Sequence, residues 1–136
     1  MEFDGIVASL RVLVVDDNEA LREVIAAILS ESGCRCESAK NGVEAMQKVR
    51  QDRFDAVVTD IEMPDMDGIR LTKEINEHFS DLPVMIVTGH EEGSYREEAL
   101  RAGAKEFLRK PFGVPDLIMK LHNMFPVQNF RGNQEL

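Results

Sequence analysis

Five side chains able to handle a phosphoryl group stand just after four short apolar runs. Asp16 and Asp17 follow Val12-Leu13-Val14-Val15, and Asp60 follows Ala56-Val57-Val58-Thr59. Thr88 follows Val84-Met85-Ile86-Val87, and Lys110 follows Phe107-Leu108-Arg109. Crowded carboxylates raise one another's pKa and call for a compensating cation. A hard divalent ion with oxygen ligands, Mg²⁺ or Mn²⁺, meets that demand. Asp60 stands singly, and a carboxylate can attack phosphorus to give an acyl phosphate. Thr88 can donate a hydrogen bond to a phosphoryl oxygen, Gly89 lets backbone come close, and Lys110 brings a point charge. Each residue also has an ordinary reading. An acid pair after a strand can cap a helix and favour its dipole. A threonine can serve a cap or turn, and a loop lysine is usually solvated. Singly, those readings compete with the chemistry; together, at four strand ends, they give way to a site.

Such groups converge only if the runs are parallel neighbours in one sheet, where ligands bind outside the carboxyl ends of the strands. The rest of the chain supports that arrangement. Short β-branched runs alternate with helical patterns five times. Strands are expected over 11–15, 34–38, 54–59, 84–87 and 106–109. The first helix has Asn18 as its cap and an apolar stripe of Leu21, Val24, Ile25, Ile28 and Leu29, and it stops at Ser32-Gly33. After a turn at Asn41-Gly42, the second helix spans 43–50 and is carried by Val43, Ala45, Met46 and Val49. Gly68 opens the third, through Ile69, Leu71 and Ile75, after a loop holding Pro64. Ser94 is the expected cap of the fourth, which ends at Gly103, and Val114, Leu117, Ile118, Leu121, Met124 and Phe125 stripe the fifth. Repeated βα units imply right-handed crossovers and a doubly wound parallel sheet, without settling strand order.

The bulk numbers agree with one domain. The chain has 136 residues, 43% hydrophobic and 30% charged, long enough for a substantial core. No apolar stretch approaches a membrane span, and the first residues lack the basic flank of a secretory signal. A cytoplasmic location, with no membrane partner, is the expectation. The net charge is −9, with 25 acids against 16 Lys and Arg. That balance argues against direct nucleic-acid binding, which needs clustered cations, and suits a divalent metal or a basic partner surface. Cys34 and Cys36 form half a zinc set with no His or Cys nearby to complete it. Two apart on a strand, they share a face and read as small core residues.

Four segments, Asp16-Asp17, Asp60-Ile61-Glu62-Met63-Pro64-Asp65-Met66-Asp67-Gly68, Thr88-Gly89 and Lys110-Pro111-Phe112, together resemble the receiver domain of two-component response regulators, of the chemotaxis-regulator type. The likeness spans roughly residues 10–125. It divides the chain into a lead over 1–9, a receiver over 10–126 and a tail or linker over 127–136. The resemblance implies a flavodoxin-like (βα)₅ fold with strand order 2-1-3-4-5. It implies Mg²⁺-dependent phosphorylation of Asp60 from a histidine kinase or phosphotransfer protein in a phosphorelay. The metal set would be Asp17, Asp60 and the backbone carbonyl of Glu62, with Asp16 acting mainly through metal-bound water. Thr88 and Lys110 would contact the phosphoryl group, and Lys110-Pro111 would be a cis peptide. Thr88 would couple to Phe107 to reset the face made by helix four, strand five and helix five. Glu62 and His90, two residues after Asp60 and Thr88, would tune the lifetime of the phosphoaspartate. That face would control a partner or an attached output domain, or pair with a second copy. Such a protein is a signalling switch with slow self-dephosphorylation rather than a metabolic enzyme.

Two other readings stay open on the residues alone. An aspartate-nucleophile phosphatase of the haloacid dehalogenase type needs a general acid two residues after the nucleophile, where Glu62 stands. Against it are the short chain, the lack of a cap insertion and Met63-Pro64 after the glutamate. A docking module that uses the fold without phosphorylation is the other.

Overall fold

A computed structural model describes residues 9–89 and 93–125. Five parallel strands, β1 (Arg11–Val15), β2 (Arg35–Ala39), β3 (Ala56–Thr59), β4 (Val84–Thr88) and β5 (Glu106–Arg109), lie in the order β2-β1-β3-β4-β5. Between and after them run α1 (Glu19–Glu31), α2 (Gly42–Gln51), α3 (Gly68–His78), α4 (Gly93–Ala102) and α5 (Val114–Asn123). The doubly wound sheet and its strand order are those the resemblance implies.

The register explains why the strands read as unbroken apolar runs. β1 pairs with β2 on one side and β3 on the other, Val12 opposite both Cys36 and Ala56, so both its faces are covered. Val12 and Val14 point into a core with Val58, Met85, Ile25 and Leu29 of α1, and Leu117 and Leu121 of α5. Leu13 and Val15 point the other way, onto Met46 and Val49 of α2 and Leu71 and Ile75 of α3. Below α4 a smaller cluster joins Ile61, Ile86, Ala99, Ala104 and Phe107. Full burial of each such aliphatic side chain is worth about 1.5–3 kcal/mol.

Helix starts are set by side-chain caps. The side chains of Asn18, Asn41 and Asp67 accept from the backbone N–H groups of Leu21, Glu44 and Arg70. Gly33 follows the end of α1 at φ 99°, a conformation costly to any residue with a Cβ. Lys110-Pro111 is cis.

Several local expectations shift. Asn41-Gly42 is a cap and first helical residue rather than a free turn, because the Asn41 side chain holds the Glu44 N–H at 2.7 Å. Ser94 lies within α4, whose first residue is Gly93. β2 runs one residue later than expected, at the sheet edge, with Cys34 buried just before it and Cys36 packed on the same core. Val24, Val43 and Val114 are about half exposed. A helix on a sheet buries a stripe roughly 100° wide. Val24 and Val43 fall on its flanks, and Val114 sits in the first turn of α5.

Candidate functional site

The carboxyl ends of β1, β3 and β5 deliver the expected acids and amine to one cleft of about 720 Å³. Asp16 follows β1 and is 2% exposed. Its backbone N–H donates to the Ala39 carbonyl at 3.1 Å, and its own carbonyl accepts from the Arg22 guanidinium at 2.8 Å. Asn18 N–H donates to its Oδ1 at 2.9 Å, so one carboxylate oxygen is engaged while the other faces the cleft residues. Asp17 is exposed beside it. Asp60 follows β3, its N–H donating to the Val15 carbonyl at 3.0 Å and its Oδ1 accepting from Ile61 N–H at 2.8 Å.

The three aspartates each offer an oxygen, and those atoms lie within 4.8 Å of one another. Lys110 Nζ stands 3.7 Å from Asp60 Oδ2 and 4.0 Å from Asp16 Oδ2. One ammonium against three carboxylates leaves the cluster short of positive charge. Burial pushes the Asp16 carboxyl above its ordinary value, and Asp60 and Asp17 push it further, against the Asn18 N–H and Lys110. Burial likewise raises Asp60, with Asp17 and Glu62 adding to it and Lys110 and the Ile61 N–H opposing it. Mutually repelling carboxylate oxygens at this spacing, with Asp16 buried, Asp60 half-buried and Asp17 open to solvent, fit a hard divalent ion.

The loop after Asp60 is shaped by close packing. Gly68 N–H donates to the Ile61 carbonyl at 2.8 Å, and a Cβ on Gly68 would lie 1.9 Å from the Asp60 carbonyl oxygen. Only glycine lets the start of α3 come so close. Asp65 turns the loop at φ 72°, with Met66 N–H donating to the Pro64 carbonyl at 2.8 Å. A Cβ on Gly89, by contrast, would meet nothing within 4 Å, so packing does not demand a glycine there.

The remaining expected residues are placed as follows. Glu62 is exposed on the cleft wall. Thr88 is the last residue of β4 and fully buried, and its carbonyl accepts the Lys110 N–H at 2.8 Å. Phe107 on β5 is 6% exposed, its ring already among the Ile61, Ile86, Ala99 and Ala104 side chains. His90 lies outside the described residues, as does the stretch 127–136.

One wall residue was not foreseen. Tyr95, in the first turn of α4, lines the cleft with Asp60 and Lys110 and also packs against the Phe107 cluster. Its only mark in the sequence is that it is the sole tyrosine of the chain.

A family model described as the response regulator receiver domain matches residues 12–122. The chain belongs to that family. This receiver is 39% identical over 113 residues to the response regulator MprA of Mycobacterium ulcerans, and equally to that of Mycobacterium tuberculosis. The match covers 83% of this chain and 49% of either relative, so the chain spans about half the length of the curated relatives it matches. Among solved structures, the receiver superposes on Vibrio cholerae CheY4, a chemotaxis protein, with a TM-score of 0.82 at 29% identity, covering 87% of this chain and all of that one. TrrA of Thermotoga maritima, solved in complex with Mg²⁺ and BeF, gives a TM-score of 0.79 at 32% identity, with coverage of 85% and 99%. Receivers are the signalling switches of two-component systems. No helix among the described residues is long and apolar enough to cross a membrane.

Proposed function

We propose that this receiver accepts a phosphoryl group on Asp60, from a histidine kinase or phosphotransfer protein, and thereby resets the surface built by α4, β5 and α5. The observation that supports it most is the meeting of Asp16, Asp17 and Asp60 within 4.8 Å, with Lys110 at 3.7 Å from the Asp60 carboxylate. Asp17, Asp60 and the Glu62 carbonyl would hold Mg²⁺ or Mn²⁺ directly, and Asp16 would act through water. When bound, the ion supplies charge neutralisation and orients the phosphoryl oxygens for in-line transfer.

The chain's own residues do the rest. Asp60 Oδ2 attacks phosphorus, the bond to the donor's leaving atom breaks, and that atom keeps the bonding pair. The Ile61 N–H holds Oδ1 and so fixes the plane of the nucleophile. Lys110, a quarter exposed, is placed to draw a phosphoryl oxygen, exchanging one carboxylate partner for a more highly charged one. Thr88 would donate its hydroxyl to the same group. Because Thr88 and Lys110 share a backbone hydrogen bond between the ends of β4 and β5, a pull on either is felt by both strands. Ile86 lies opposite Phe107 in the register, so the ring sits one pleat below that link. Phe107 carries no hydroxyl, so its inward position leaves no polar group to satisfy. The response is therefore a shift between populations of the same fold. Exposed Leu100 on α4, and Val114 and Met119 on α5, suit docking of a partner or second copy on these elements. Glu62 and His90 would set the access of water and so the lifetime.

Intact-mass spectrometry after incubation with acetyl phosphate tests the proposal. The expected result is one phosphoryl adduct that requires Mg²⁺ and disappears in Asp60→Asn. An adduct retained in that variant would move the acceptor elsewhere. Absence of both adduct and phosphate release in the parent would leave the docking-module reading instead.

A further inference from the structure

Tyr95 belongs to two environments at once. It lines the acidic cleft with Asp60 and Lys110, and it packs on the buried cluster of Phe107, Ile86 and Ala99. The next residue, Arg96, places its guanidinium 5.9 Å from the centre of the Phe107 ring. Tyr95 is half-buried, so part of its ring is anchored in the apolar cluster and part borders the cleft. An aromatic side chain has only two torsions and moves as a plate. It cannot swing at the cleft without disturbing its packing on the cluster that contains Phe107.

We propose that Tyr95 is a positioning residue: its ring shields phosphorylated Asp60 from water and ties that shielding to the packing of Phe107. The inference rests on Asp60 as the acceptor. Loss of the phosphoryl group requires a water oxygen to bond to phosphorus as the Asp60 Oδ–phosphorus bond breaks. The bonding pair returns to the carboxylate, and both protons of the water leave with the phosphate product. That water must arrive opposite the breaking bond, in the cleft whose wall Tyr95 helps to form. An apolar plate there lowers the number of productive approaches, whereas a small side chain opens the wall. Disturbing the cluster around Phe107 also frees the plate. The control of lifetime therefore extends to the α4–β5 side of the cleft, beyond Glu62 and His90.

The chain contains one tyrosine and no tryptophan, so ultraviolet emission near the tyrosine band reports Tyr95. Emission of the parent is recorded with Mg²⁺ alone and then with beryllofluoride, a stable phosphoryl mimic. In parallel, decay of the acetyl phosphate adduct is followed by intact mass in the parent, Tyr95→Phe, Tyr95→Leu, Tyr95→Ala and Phe107→Ala. The emission is expected to change with beryllofluoride in the parent and to change less in Phe107→Ala. Tyr95→Phe, which keeps the plate, should match the parent lifetime. Tyr95→Ala should shorten it by roughly tenfold, about 1.4 kcal/mol of barrier, with Tyr95→Leu between them. An emission unmoved by beryllofluoride, while a thermal shift shows that it binds, overturns the proposal. So does a lifetime in Tyr95→Leu equal to the parent's, should Tyr95→Ala fail to fold. A Tyr95→Phe lifetime as short as that of Tyr95→Ala also overturns it, by assigning the effect to the hydroxyl. Absence of both adduct and phosphate release in the parent defeats the Asp60 reading and this inference with it, whereas a parent adduct with unaltered variants defeats this inference alone.

Discussion

Strand β1 starts on Arg11 and is followed by Asp16, and the two ends of this one strand are treated in opposite ways. Arg11 itself is well partnered. Its N–H donates to Asp55 Oδ2 at 2.8 Å, and its guanidinium donates to the Arg53 carbonyl at 3.0 Å. The guanidinium also pairs with Glu37 and lies 4.9 Å from the centre of the Phe54 ring. Around Asp16, three carboxylates share one ammonium, and burial lifts two of their pKa values. The same sheet thus satisfies its polar groups at the end where it only needs to be stable. At the other end it holds like charges together, at a cost in stability, in a form that a cation would relieve. Unrelieved repulsion is a functional signature of the kind that perturbed carboxylates often carry.

The sharpest way to break the contrast is at Gly68, which lets α3 press on the Asp60 carbonyl. Gly68→Ala would put a methyl group 1.9 Å from that oxygen, against backbone with no flexible side chain to give way. The loop must move, and with it Asp60. A loss of about 3 kcal/mol in urea unfolding is expected, together with slower adduct formation from acetyl phosphate. A variant with parent stability and parent phosphorylation rate would show that the close approach is not needed by the site.

That position also marks what the sequence could and could not show. The acids, Thr88 and Lys110 are legible because parallel strands buried on both faces produce apolar runs, and the chain turns polar where each run ends. The opening of α3 at Gly68 is legible too, but not its reason, since the Asp60 carbonyl it touches lies across a loop. Tyr95 escapes for the same cause: nothing local says that the first turn of α4 borders both the cleft and β5. Asn41-Gly42 carries signals for a turn and for a helix start alike, and the Glu44 N–H decides between them. Val24 and Val43 miss the core because a periodic pattern locates a stripe more reliably than its edges.

A smaller effect, with its sign fixed by the carboxylates, comes from pH. The folded-state pKa values of Asp16 and Asp60 are raised, so between the ordinary carboxylate value and the raised one the folded chain holds more protons than the unfolded chain. Their contribution therefore weakens the fold as pH rises through that window. In chelator, Asp60→Asn should be more stable than the parent at neutral pH by on the order of 1 kcal/mol, roughly 3–5 °C in melting temperature. The difference should shrink at acid pH, where the parent carboxyl is already neutral. Mg²⁺ should reverse the order by stabilising the parent more. Thermal unfolding across pH, with and without Mg²⁺, measures it. An Asp60→Asn variant less stable than the parent in chelator would mean that Lys110 compensates the cluster fully.

The mildest test lies at the satisfied end. Arg11→Ala removes one guanidinium hydrogen bond, one half-exposed ion pair and a stack on Phe54, while the backbone N–H bond to Asp55 remains. Partly exposed pairs and stacks are each worth less than about 1 kcal/mol. The expected loss is therefore about 1 kcal/mol, only partly suppressed by 1 M salt, because screening weakens the pair and leaves the apolar stem and ring contact. The lifetime of the acetyl phosphate adduct should not change, since four residues of paired strand, 12–15, separate Arg11 from Asp16. A lifetime altered by Arg11→Ala would show that strain at one end of β1 is transmitted to the other, and the two ends would have to be treated as one device.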